Sequence, residues 1–497
     1  MCAAAAITAP AGKTEKAGLA FWMERVLEEC DRAAAGFAAD PVHDLRVSLR
    51  RCRSMADGLM TMDPDPAWKK MKKGGKRLFA SLGELRDVQV MEEWVHRLEA
   101  HGDTESAPLL RYFASRESHL KTEAAKALAG FDRKQWKKWS ATLPRRSARI
   151  SQGSTLFKHL ALERWMEAYE LHRRALRNRS GVAYHSLRIG IKRFRYIVEN
   201  FLPEQHDAWS DDLKILQDLL GEVHDLDVLW TTAQHIRAFP DPEARSRWRS
   251  RIIAEKTQRI EEYRKKMVGN TSLWKVWRSA LPQGKEIETA ALARLKLWAS
   301  LLDPDFKHST HVARLALQLY DGLLNGQESG SAAQRTVLEV AAWLHEVGRS
   351  RKEKNHQKSS YRLIAGLKAP FGFPQQDLRA AGAVARYHRG LLPRAGQQPL
   401  LGLSPAQRKE VVRLAGMLRL ANAFDSQHDG RTGRLSVSRQ NGYIAVAAQG
   451  YSSRDRTAER IAAARHLLET IYRRPILVKP AETSRSPGKA TARSQKP

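Results

Sequence analysis

From residue 14 to about residue 280, apolar positions recur at the three-to-four spacing of amphipathic helices, carried by Leu, Ala and Trp with Arg between them. Breaks fall at Pro64-Asp-Pro66, Leu143-Pro144 and Phe239-Pro-Asp-Pro242, and no strand pattern appears between them. Another break at Leu281-Pro-Gln-Gly-Lys285 precedes a second helical region, from about 288 to 428. The texture then changes. Leu435-Ser-Val-Ser-Arg and Tyr443-Ile-Ala-Val-Ala flank Gln440-Asn441-Gly442, and Asn-Gly between alternating apolar residues predicts a β-hairpin. A last helix over about 454–473 and a short apolar Ile476-Leu-Val follow. Residues 481–497, dominated by Ser, Lys, Pro and Thr, are expected to form a disordered basic tail. The pattern predicts an all-α protein with a small C-terminal β-hairpin, in two domains over 14–280 and 288–475.

Within the first domain one helical segment is written twice. His43-Asp-Leu-Arg46-Val-Ser-Leu-Arg50-Arg51-Cys-Arg53 returns as His185-Ser-Leu-Arg188-Ile-Gly-Ile-Lys192-Arg193-Phe-Arg195. Offsets 0, 3, 7 and 10 fall within roughly 80° on a helix, so each copy carries a His and three cations along one stripe about 15 Å long. Leu45, Leu49 and Cys52, like Leu187, Ile191 and Phe194, lie on a separate apolar arc. A second motif follows each copy, Leu82-Gly-Glu-Leu-Arg-Asp87 and Leu220-Gly-Glu-Val-His-Asp225, with the Gly 40 (43 to 83) and 36 (185 to 221) residues after the His. Two similar helical repeats, about 14–140 and 155–280, are the simplest architecture.

Composition adds the sign of the partner. The 497 residues carry a formal charge of +31, with 42% hydrophobic and 28% charged residues, so the excess sits on folded surface and not mainly on a tail. Such a field recruits nucleic acid, polyphosphate or anionic membrane. Three cysteines without paired spacing argue against a disulfide framework or zinc ribbon and fit a reducing cytoplasm. No membrane span or signal peptide is expected. Gly74-Gly-Lys76 lacks the upstream glycine of a nucleotide-binding phosphate loop. Trp136 and Trp139, interleaved with Lys134, Lys137 and Lys138, form the one cluster suited to stacking on a base.

The duplicated stripe with its Leu-Gly-Glu-x-x-Asp partner resembles the CHAD family of all-helical domains. That resemblance covers roughly residues 14–280 and implies paired helical bundles around a basic cavity that binds inorganic polyphosphate. It implicates His43, Arg46, Arg50 and Arg53 in the first repeat and His185, Arg188, Lys192 and Arg195 in the second. Arg51 and Arg193 belong to the motif but point nearer the flank, while Lys73 and Arg77 could line the same cavity at helical spacing. Asp87 and Asp225 are expected to orient a histidine or arginine from the facing helix. Guanidinium groups bridge two phosphate oxygens and stay charged, which suits this ligand.

A second set runs His308-Ser-Thr-His311, then Leu344-His345-Glu346-Val-Gly, then Arg419-Leu-Ala-Asn-Ala-Phe-Asp425. Its order resembles an HD domain, which implies a divalent metal on His308, His345, Glu346 and Asp425, with Glu346 and His345 as the catalytic pair. Mn, Mg, Zn or Fe would fit that role. With Asn355-His356-Gln-Lys-Ser-Ser-Tyr361 and Ala385-Arg-Tyr387-His388-Arg389, the region looks like the C-terminal helical domain of the exopolyphosphatase and guanosine pentaphosphate phosphohydrolase family. His356 and His388 could take a second metal, or bind phosphate with Arg386 and Arg389. Glu346 stands where generic HD enzymes have Asp, and the family's separate hydrolytic module is not represented. The expected function is cytoplasmic polyphosphate binding, with association to polyphosphate granules, by a chain whose HD-like domain hydrolyses or senses a nucleotide or phosphate ester. The competing reading is a nucleic-acid-binding or scaffold protein with an inert HD region.

Overall fold

Both copies of the repeated segment bury their apolar arc and leave the cationic stripe outside it. Leu45, Leu49 and Cys52 are fully buried, as are Leu187, Ile191 and Phe194. The computed structural model describes residues 18–35, 37, 39–99, 106–324, 331–351 and 354–481. Among these, 18 helices and one small sheet are present. Two compact units divide between Ala290 and Ala291.

The first unit contains α1 (Leu19–Ala34), α2 (Ala39–Leu59), α3 (Pro66–Gly74), α4 (Lys76–Leu98), α5 (Ala107–Ala129) and α6 (Arg133–Ser147). It continues with α7 (Thr155–Asn178), α8 (Gly181–Phe201), α9 (Pro203–His235), α10 (Pro242–Met267) and α11 (Leu273–Ser279). The His-plus-cation stripes lie on α2 and α8, and the Leu-Gly-Glu motifs on α4 and α9. These four helices pack together: α2 on α4 and α8, α9 on α8 and α4. Ser180 starts α8 by accepting a hydrogen bond from the Ala183 amide at 3.3 Å, a side-chain cap for an otherwise unpaired backbone donor. At the far end α2 and α8 approach so closely that a Cβ on Gly58 would lie 2.5 Å from the Phe201 ring.

Helix α6 runs through Pro144 to Ser147, three residues past the expected break. A proline forfeits one bond to the preceding turn, and here the helix ends within a turn after it, so the loss stays local. Trp136 is fully buried and donates its indole N–H to the Met23 carbonyl at 3.0 Å, which makes it core and removes it as a stacking platform.

Helix α12 (Lys285–Leu302) crosses the division between units. The second unit holds α13 (Phe306–Leu324), α14 (Ala332–Leu344), a short 3-10 turn (Val347–Ser350), α15 (His356–Ala365), α16 (Gln375–Arg386), α17 (Pro405–Phe424) and α18 (Thr457–Tyr472). Its core is built mainly from α13, α14, α16 and α17, with Leu315, Leu338, Val384 and Leu418 fully buried. Ser404 and Gln407 cap α17 reciprocally, fixing the start of the helix that ends at Asp425. The expected hairpin is β1 (Leu435–Arg439) with β2 (Ile444–Ala448), antiparallel, turning at Gly442 with φ +89°. A third strand, β3 (Ile476–Pro480), lies parallel to β2 in register Val446 to Val478, after the crossover through α18. The sheet is thus three-stranded and mixed, since a run as short as Ile476-Leu-Val carries no pairing signal of its own. Apart from Ala481, the basic tail lies outside the described residues.

Candidate functional site

Packing α2 against α8 brings the two stripes to one place. Arg46 and Arg50 from the first repeat and Arg188 and Lys192 from the second sit within electrostatic reach of one another, with Asp87 from α4 among them. Gly83 makes room for Arg46, whose Nη1 would lie 3.1 Å from a Cβ there. Loss of hydration, with Arg188, Arg50 and Arg46 around it, pushes the Lys192 ammonium down to about 8. Asp225 on α9 is pushed up to about 6, chiefly by loss of hydration, with Asp87 and Glu222 adding to it and Arg188 opposing. His43 is shifted down by partial burial and by Arg86 and Arg50, so it is held neutral in the cationic field. His185 and His224 face each other, Nδ1 to Nδ1, at 3.2 Å, and burial together with Arg188 lowers His224 to about 4. This is a surface of both repeats jointly, with two carboxylates set into it.

The remaining motif cations are engaged elsewhere. Arg51 pairs with Glu199 at 2.5 Å, contacts Asn200 and covers the Trp22 ring, tying α2 to α8. Arg53 donates to the Lys72 carbonyl at 2.6 Å, at the end of α3, and Arg195 lies 3.6 Å from Glu199. Arg193 lines a different cavity of about 360 Å³ with Lys72, Arg164 and Tyr196. Lys73 and Arg77 are exposed, and Arg77 acts electrostatically on Glu123 of α5. Tyr196, one position past the motif, carries a buried hydroxyl without a hydrogen-bond partner near Arg50, a residue that helix spacing alone would not pick out.

In the second unit α14 ends at Leu344 with His345 as its C-cap, and Glu346 follows in the turn, both buried. Gly348 permits this: a Cβ there would lie 2.3 Å from the His356 carbonyl oxygen and 2.4 Å from the Ser360 nitrogen. Ser360 ties the turn to α15, accepting from Gly348 N and donating to the His345 carbonyl. Two donor groups result, His308 with His345 and Glu346, and Glu346 with His356 and His388. Asp425 belongs to neither among the described residues. It accepts from His308 Nδ1 at 2.7 Å and from the Gly430 amide at 2.8 Å, and so orients His308. His311 contacts Arg314 and lies within electrostatic reach of Asp425 and His308.

The hydrogen-bond geometry separates the two groups. His345 Nδ1 donates to the Ala342 carbonyl at 2.6 Å, and burial lowers this imidazole to about 3, so its Nε2 is a bare lone pair. Asn422 Oδ1 lies 3.0 Å from His308 Nε2, which donates to it, and 3.2 Å from His345 Nε2. The second group is two imidazoles and one carboxylate. His388 Nδ1 donates to the Ala385 carbonyl at 2.8 Å, leaving Nε2 facing Glu346 Oε1 at 3.4 Å and His356 Nε2 at 3.3 Å. His356 Nε2 lies 2.9 Å from the same oxygen. Burial opposes ionisation of Glu346, but the adjoining imidazoles outweigh it and hold the carboxyl well below its usual range. One proton at His356 cannot serve both Glu346 and His388, whereas a divalent cation would satisfy all three, so the donor set fits a metal.

Beside this group lies a cavity of about 500 Å³ onto which Arg349, Arg389, Arg419 and Arg460 open. Arg419 is pinned by the carbonyls of Tyr387 and Gly390, and Arg460 by that of Ser426. His428, left-handed at φ +59°, stacks on His308 at 3.7 Å and bonds Asp305 at 2.7 Å. Asn422 was legible as the residue one turn before Asp425 on the same helix. Arg389 was named with His388 from the sequence, whereas Arg349 in the 3-10 turn, Arg419 on α17, Arg460 on α18 and His428 in a loop come from separated elements that no single motif joins.

These features define a mostly helical protein of two units, one with a joint cationic surface and one with buried His/Glu clusters that could bind a metal. Residues 19–234 match the family profile of the CHAD domain, and residues 296–446 that of the Ppx/GppA phosphatase, domain III. The chain is a CHAD-domain protein with a Ppx/GppA domain III, an HD-like domain, behind it. CHAD is a polyphosphate-associated family. No curated protein matches the chain. No described helix is long and apolar enough to cross a membrane.

Proposed function

We propose that the protein binds inorganic polyphosphate on the joint surface of Arg46, Arg50, Arg188 and Lys192, and that its HD-like unit holds a divalent metal and acts on or senses a phosphorylated ligand. The observation that carries the first part is the meeting of cations from two sequence-distant repeats on one face. An extended polyanion can touch all four at once. Competition tests it: long-chain polyphosphate should displace duplex DNA at matched phosphate concentration and salt, and stronger retention of DNA would favour the nucleic-acid reading.

For the second part the support is the group Glu346, His356 and His388 beside an arginine-lined cavity. Two imidazoles with one carboxylate suit Mn, Fe or Zn better than Mg, which prefers oxygen ligands. A metal there would polarise a phosphate oxygen and lower the pKa of a bound water. The chain's own part is to seat the phosphate with Arg349 and Arg419 and to keep Glu346 ionised. Elemental analysis of purified protein should give close to one metal per chain, lost in Glu346→Gln plus His388→Ala. Phosphate release from polyphosphate, guanosine tetraphosphate and cyclic dinucleotides, compared between these proteins, separates hydrolysis from sensing.

A further inference from the structure

Helix α15 has two working faces. His356 points to Glu346, while Lys358, Tyr361, Arg362 and Ala365 lie about 140° to 240° around the helix from it and form one stripe on the opposite side. That stripe borders a groove of about 640 Å³ whose other wall is the loop carrying Leu391, Gln398 and Pro399. The floor is Tyr387, buried, with the Arg386 guanidinium 5.6 Å from its ring centroid. No carboxylate lines the groove among the described residues. Lys358 and Arg362, like charges one turn apart, weaken their own helix unless an anion lies between them. Leu391 is 66% exposed at the rim, and Arg386 Nη1 is buried there without a hydrogen-bond partner. A buried orphan donor on a guanidinium asks for an acceptor that the chain does not supply.

We propose that this groove binds a nucleotide, with the ring against Tyr361, Leu391 and Pro399 and the phosphates on Lys358, Arg362 and Arg386. The volume is right for a nucleotide and too large for a lone phosphate. Leu391 and Pro399 on one wall, facing Tyr361 set among the cations of the other, with no acid in the lining, match a planar ring joined to an anion. The groove is separate from the arginine-lined cavity. Arg386 and Tyr387 face the groove, while the next three residues, His388 to Gly390, line the cavity, so five consecutive residues form the partition.

Photolabelling of the full chain with 8-azido-ATP, followed by peptide mapping, tests the site. Label should fall between Lys358 and Pro399 and be displaced by ATP at concentrations where tripolyphosphate leaves it. In calorimetry, the exposed double variant Lys358→Ala plus Arg362→Ala, checked for helix content by circular dichroism, should lose at least tenfold in ATP affinity, and Glu346→Gln should keep it. Label found only outside this segment, equal displacement by tripolyphosphate, or unchanged affinity in the double variant would each overturn the proposal. Stronger displacement by an acidic, leucine-bearing peptide than by ATP would overturn it in favour of a peptide groove.

Discussion

Asp225 and Lys192 occupy one cationic surface with opposite demands on the proton. The carboxyl, pushed up to about 6, takes a proton more readily when folded, so the folded chain binds more protons than the unfolded one between about 4 and 6. Its contribution to stability is present below that window and is lost as pH rises through 6. Lys192, pushed down to about 8, runs the other way: the unfolded chain binds more protons between about 8 and 10.5, and stability from this group increases with pH across that range. For binding, a proton on Asp225 removes a negative charge from the surface that meets the polyanion. Polyphosphate affinity measured by titration should therefore increase as pH falls from 7 to 5, with a midpoint near 6. Asp225→Asn should bind more tightly at pH 7 and lose that component; an unaltered profile would exclude this carboxyl as its source. Gly348 is a second decisive residue. Gly348→Ala places a methyl against backbone on two sides, and should cost about 1–3 kcal/mol in denaturant unfolding of the HD-like unit while displacing Glu346. At this scale the sequence was legible where chemistry repeats and opaque where partners are supplied by the fold. The stripe named eight positions and set Arg51, whose guanidinium is taken by Glu199, to its flank, but nothing in it separates Arg50 from Arg53, which donates to the Lys72 carbonyl. Asp425 was read as a ligand from its order in the chain, and its place against His308 Nδ1 depends on where α17 ends.

Among elements, the pairing of α2 with α8 governs the cationic surface. Gly58→Leu replaces none of Arg46, Arg50, Arg188 and Lys192, yet it must push Phe201 aside, and overpacking of this kind costs about 1–3 kcal/mol. Wider separation of the helices should weaken polyphosphate binding severalfold with all four cations still present. Retained affinity would mean that one repeat binds alone. The helices themselves were readable because their apolar arcs keep a 3.6-residue period over several turns, and the β1–β2 hairpin because Asn441-Gly442 has a defined turn chemistry. Pro144 misled because a proline near a helix end costs little, and β3 went unseen because a parallel strand depends on a neighbour supplied from beyond a helix.

At the scale of the molecule, a charge of +31 draws any polyanion, so salt dependence has to separate the general field from the site. Each cation that displaces a counterion from a flexible single-stranded polyanion adds about 0.7 to the slope of log affinity against log salt, so Arg46, Arg50, Arg188 and Lys192 together should give roughly 3. Removing Arg46 and Arg188 should lower the slope by about 1.4. A drop in affinity with the slope intact would indicate misfolding instead of lost contacts.

The order of the sheet bears on where this chain can be cut. Strand β2 is paired on both sides, with Ile444, Val446 and Ala448 buried, and one of those sides is supplied only by Ile476–Pro480. The matched family region stops at residue 446, inside that strand. A protein truncated anywhere before Ile476 would expose an apolar strand edge, the usual template for intermolecular pairing. Such fragments should aggregate, while a chain extending through Ala481, whose amide donates to the Ala448 carbonyl at 3.0 Å, should remain monodisperse by light scattering.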